Sequence, residues 1–186
     1  MHATVLLFTA LIFSTEASEA ASSRPTTSPA SQITMIFWEE QSWKPGGGSE
    51  RLTLWASGRS EITLKRWGET QKTNPGWSAT KVGHFSYYRK ADPFPPAVAV
   101  AKFHAAISAG IEQLKSFPPG FADGGGTLVG IESDGKLKET VIPFFIHPDQ
   151  PDNENSENHR RYLAVEKVLG DFDTDAVARQ QKGAGS

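Results

Sequence analysis

Hydrophobic side chains recur at every second residue in runs through the first half of this chain and at every third or fourth residue from Ala97 to Phe117, with Pro93-Phe94-Pro95-Pro96 between the two regimes. A period of two sends alternate side chains to opposite faces of a strand, whereas a period near 3.6 lines one face of a helix. The strands therefore come first and the first helix follows the prolines. Such an order favours α+β, with a mostly antiparallel sheet covered on one face by helices.

Within the strand half, Ile33 to Trp38 (ITMIFW) is aromatic and branched. Lys44 to Ser49 breaks the chain. Arg51-Leu52-Thr53-Leu54-Trp55 and Glu61-Ile62-Thr63-Leu64-Lys65 then alternate on either side of Ser57-Gly58-Arg59, which signals a hairpin. A fourth strand is expected within Ala79 to Tyr88, with Gly83 as an interruption. From Ala97 to Phe117, the residues Val100, Phe103, Ile107, Ile111 and Leu114 share one face of a long amphipathic helix that Pro118-Pro119-Gly120 ends. A second hairpin is expected where Thr127 to Glu132 and Leu137 to Phe145 flank Ser133-Asp134-Gly135-Lys136, because Asp-Gly suits a tight two-residue turn. A last helix, capped by Asn155 or Ser156, carries Tyr162, Val165, Leu169 and Phe172 on one face. The expected domain, 33–172, thus has about five or six strands, one long central helix and a C-terminal helix on the same sheet face. Residues 173–186 are expected to fray.

The N-terminus carries an address. Val5 to Phe13 (VLLFTALIF) is too short to span a bilayer as a helix, which takes about 20 apolar residues. It suits the core of a cleavable signal over residues 1–20, with small residues at the cleavage positions around Ser18-Glu19-Ala20; Thr15-Glu16-Ala17 offers a second point. No Lys or Arg precedes Val5, so the amino terminus alone supplies the positive end. Competing readings are an apolar tail without function and a start at Met35, which would cut into the first strand. Residues 21–32 (ASSRPTTSPASQ) read as a flexible spacer. The expected product is exported to a bacterial periplasm or beyond, with no membrane span after cleavage.

Composition narrows the classes further. Without cysteine there is no disulfide framework, thiolate nucleophile or cysteine zinc site. The chain has 19 basic and 21 acidic residues, and removal of Glu16 and Glu19 with the signal leaves 19 of each. That balance is unlike the basic footprint of a nucleic-acid binder, and none is expected as partner.

From Ile33 to Phe172 the layout resembles small exported bacterial domains of unknown function, which pair a strand and a glycine turn with a central helix and a second glycine hairpin. Ser57-Gly58-Arg59 and Asp134-Gly135-Lys136 occupy those turn positions. The resemblance implies the fold and an exported context; it transfers no activity and no site residue.

Three places can carry chemistry. The stretch from His147 to His159 holds four carboxylates, three asparagines and a histidine at each end within thirteen residues. Asp149, Asp152 and Glu154 are its candidate ligands for a hard cation such as calcium, although the spacing matches no EF-hand loop and a solvated connection between strand and helix is the favoured reading. The tryptophans and tyrosines of the first half form the second. Trp55 lies out of phase with Leu52 and Leu54 and so faces away from the core they define, while Trp43 and Trp77 sit beside loops where partial exposure is expected. The third is a hydrolytic centre around His84 or His104, for which no nucleophile elbow or partner is evident. The favoured function is a small non-catalytic binding domain without cofactor, monomeric or weakly associating, whose ligand is a protein or a carbohydrate. A small envelope or extracellular hydrolase is the alternative.

Overall fold

Tight turns decide how the strands pair. In the computed structural model, which describes residues 32–41, 47–116, 125–143 and 153–177 (the side chains of 143 and 153–156 aside), seven strands form one sheet. They are β1 (Ile33–Gln41), β2 (Ser49–Trp55), β3 (Ser60–Trp67), β4 (Ser78–Val82), β5 (Phe85–Ala91), β6 (Gly126–Ser133) and β7 (Lys136–Pro143). All neighbours run antiparallel in the order β4-β5-β3-β2-β1-β6-β7.

The β2–β3 hairpin closes as expected, with Gly58 at φ 87 in the turn and Trp55 N–H bonded to the Arg59 carbonyl at 3.0 Å. The β6–β7 hairpin turns through Asp134 and Gly135, both at positive φ (52 and 70), the combination a two-residue turn of this twist requires. One expectation is corrected here. Gly83, read as an interruption within a single strand, sits at φ 60 and turns the chain back, so Ala79 to Tyr88 makes two strands instead of one. The sheet consequently has seven strands rather than five or six.

Helix α1 (Pro96–Ser108) starts at the prolines, as their fixed φ allows. It is shorter than the period suggests. Gly110 adopts a left-handed φ of 89, and Ile111–Gln113 continue as one 3₁₀ turn. The buried stripe is Ala99, Phe103 and Ala106, which keeps Phe103 of the expected face while Val100 and Ile107 are only partly buried; Ile111 and Leu114 reach the core from the 3₁₀ turn and the residue after it. Helix α2 (Asn153–Leu169) begins ahead of Asn155 and Ser156, which lie within it and do not cap it. Its Asn158 is buried and clamps the chain after the 3₁₀ turn: its Oδ1 accepts from Lys115 N–H at 3.0 Å, and its Nδ2 donates to the Lys115 carbonyl at 2.8 Å.

Both helices cover one face of the sheet. Ile36 and Trp38 of β1, Leu52 and Leu54 of β2, Ile62 and Leu64 of β3, Tyr88 of β5 and Val129 and Ile131 of β6 join Phe103, Tyr162, Val165 and Leu169 in one core. Trp38 and Tyr162 stack at 5.4 Å between centroids, and the Tyr162 hydroxyl meets the Thr127 hydroxyl at 3.2 Å. Burial pushes that hydroxyl up to about 12, with Glu166 adding to the effect. The chain also stays docked past Phe172, where fraying was expected. Ala176 is buried, Val177 bridges Thr73, and Asn74 bonds the carbonyls of Asp175, Ala176 and Val177 at 2.9–3.1 Å. No helix among the described residues is long and apolar enough to cross a membrane.

Candidate functional site

The residues out of phase with the core line the opposite face of the sheet, which α1 and α2 leave open. Register places them in rows across the strands. One row runs Val141, Leu128, Glu39, Arg51, Thr63, Arg89; the next runs Glu139, Gly130, Phe37, Thr53, Glu61; a third runs Leu137, Glu132, Met35, Trp55. Over β1, β2, β3 and β5 these rows form a groove of about 600 Å³. That size lies within the range of small-ligand sites.

Phe37 forms part of the groove lining and is only 2% exposed although it points away from the core. Its ring lies over Gly130, where even a Cβ would come within 1.9 Å of Phe37 Cε1. The Arg51 guanidinium stacks on the ring at 4.1 Å and donates through Nε to Glu39 Oε2 at 2.6 Å. Glu39, 7% exposed, is thus charge-paired where a lone carboxylate would be costly. Arg59 reaches back across its turn to stack on Trp55 at 4.1 Å, and Lys65 lies over Phe85 at 4.2 Å. Arg59 and Arg89 share Glu61, at 3.9 and 3.5 Å. Phe37, Trp55 and Phe85 on this face therefore each carry a cation.

The sequence places Trp55 correctly: it is half-buried, lines the groove and faces away from Leu52 and Leu54. Trp77 does not share that surface. It is 7% exposed and belongs to the core cluster, with the Lys90 ammonium 5.6 Å from its ring, although its place in the sequence reads as a loop-side position. Trp43 lies outside the described residues, as do Asp149 and Asp152; Glu154 belongs to α2, with its side chain outside the description. The signal and spacer, 1–31, also lie outside it. Among the described residues no group of three or more His, Asp or Glu is placed to hold a metal ion. His84 stacks on Trp67 at 5.1 Å in the β4–β5 turn, and His104 lies against Phe103 on α1.

Arg51, Arg59, Arg89 and Glu39 were not singled out from the sequence. Their strand phase was available, since Arg51 and Thr53 alternate with Leu52 and Leu54 exactly as Trp55 does. The contacts between strands, Arg51 with Phe37 and Glu39 and Arg89 with Glu61, depend on register, which no local pattern reports.

The chain matches no model of a protein family and no curated protein sequence.

Proposed function

We propose that this chain is an exported domain that works by binding, without catalysis, and receives its ligand on the open face of its sheet. The observation that carries the reading is the groove of about 600 Å³ on a face that neither helix covers, with Trp55, Phe37 and Met35 set among arginines, hydroxyls and paired carboxylates. Recognition sites combine apolar contact area with a few placed polar groups in this way. The face is built on hydrogen-bonded strands, so its side chains are held in position before a ligand arrives. Export rests on the apolar run Val5 to Phe13 and the small residues that follow it.

A glycan array probed with the purified domain and with Thr63→Trp tests this. Thr63 lies mid-row between Arg51 and Arg89, and an indole there fills the groove. The expected result is a set of signals that the variant loses while keeping its circular dichroism. Signals that persist with the groove filled, or none above background, would count against the reading. Amino-terminal sequencing of the secreted product, expected to begin near Ala21, tests the export.

A further inference from the structure

We infer that the open face takes a glycan bearing carboxylate groups, of the uronic-acid class, seated across β2, β3 and β5; this deepens the binding reading above and rests on it. Charge is the first reason. The groove is lined by four cations, Arg51, Arg59, Lys65 and Arg89, against two carboxylates, Glu39 and Glu61. Glu39 is committed to Arg51. Glu61 is shared between two guanidiniums at 3.5 and 3.9 Å, longer than a direct hydrogen bond, and both arginine side chains are well exposed while Glu61 is not. Two positive charges are thus left over, on side chains free to turn toward an anion.

Stacking is the second reason. Phe37, Trp55 and Phe85 each have a cation over one ring face, at 4.1, 4.1 and 4.2 Å. A neutral sugar that stacks on such a ring must first displace the cation. An anionic sugar needs no displacement at Trp55, because the exposed Arg59 guanidinium can cover that ring and still offer N–H donors to a carboxylate.

The backbone is the third. β2, β3 and β5 are each paired on both sides, so their ladder offers no free donor or acceptor to a peptide lying on the face. A sugar chain brings its own hydroxyls to Ser49, Thr53, Thr63 and Tyr87, which also line the groove. Finally, register puts Glu132 and Glu139 on the same face at the β6–β7 end, where they repel an anionic chain and confine it to the basic end.

Calorimetric titration of the purified chain with a galacturonic acid hexamer tests the inference, beside its methyl ester and poly-L-glutamate. The hexamer is expected to bind, at least tenfold more tightly than either comparison ligand, with an affinity that falls as salt rises. Arg59→Gln/Arg89→Gln should weaken it at least tenfold. Glu61→Gln should strengthen it severalfold, since it releases both guanidiniums, whereas a merely structural Glu61 would give loss. Equal binding of the ester, preference for poly-L-glutamate, or no hexamer binding overturns the uronate assignment. If the ester binds and Thr63→Trp abolishes that binding, the open-face reading survives this failure. Hexamer binding that Thr63→Trp leaves unchanged overturns both.

Discussion

Gly130→Ala probes how the open face is built. A methyl group at Gly130 would lie 1.9, 2.4 and 2.5 Å from Cε1, Cζ and Cδ1 of Phe37, overlapping a whole ring edge. The ring has nowhere near to go, because Arg51 lies over it and it is only 2% exposed. It must swing out into water. Losing the burial of a Phe side chain costs about 1.5–3 kcal/mol. The Arg51 stack is worth about 0.5–1 kcal/mol more. Replacing glycine inside a strand returns about 0.5–1 kcal/mol. The two small terms cancel, leaving a net loss of about 1.5–3 kcal/mol, which lowers Tm by roughly 3–12 °C for a domain of this size. Urea and thermal unfolding of four proteins measure it: native, Gly130→Ala, Phe37→Ala and the double variant. With the ring removed, Gly130→Ala should be neutral or stabilising. A single variant that melts with the native protein, or a cost that persists undiminished in the Phe37→Ala background, refutes the reasoning.

The buried Tyr162 hydroxyl, raised from 10.0 to about 12, keeps its proton longer in the folded chain than in the unfolded one. Its contribution is intact below pH 10 and is lost as pH rises through 12, at about 1.4 kcal/mol per pH unit. Denaturation midpoints measured over that window should fall, and Tyr162→Phe should flatten the slope; an unchanged slope contradicts the assignment. Asn158→Ala removes both bonds to the Lys115 backbone and should cost about 1–3 kcal/mol in urea unfolding, with no change in secondary structure. Trp77→Ala should cost about 3–5 kcal/mol as a core deletion. Trp55→Ala, on the open face, should cost under about 2 kcal/mol. Equal costs for the two tryptophans would show that the two faces are not distinguished as described.

How far the sequence reveals this structure depends on the range of the interactions involved. Turn chemistry is local, and the Gly58 and Asp134-Gly135 hairpins are legible from a few residues each. Strand phase is local too, which is why Trp55 can be assigned to the outer face from Leu52 and Leu54 alone. Gly83 shows the limit: the same residue reads as a weak point in one strand or as a turn between two, and pairing with β3 decides it. Gly110 likewise ends α1 inside a run whose apolar spacing continues without a break. Trp77 is buried where its loop-side position suggests exposure, and the loop just before it is held by a segment about 100 residues downstream, through Asn74 and Val177, which no local pattern shows. The site depends most on long range. Arg51 over Phe37 and Phe37 over Gly130 join three strands, β2, β1 and β6, whose register is set by the whole sheet.

The central claim is that ligand is received on the face the helices leave open, and the amide spectrum of the isotope-labelled chain tests it most directly. During titration with the galacturonic acid hexamer, shifts should gather on Thr53 to Trp55, Glu61 to Lys65 and Tyr87 to Arg89, and leave α1 and α2 unmoved. Shifts that gather on the helices would contradict it, whereas a spectrum that does not change at saturating hexamer would overturn the uronate assignment.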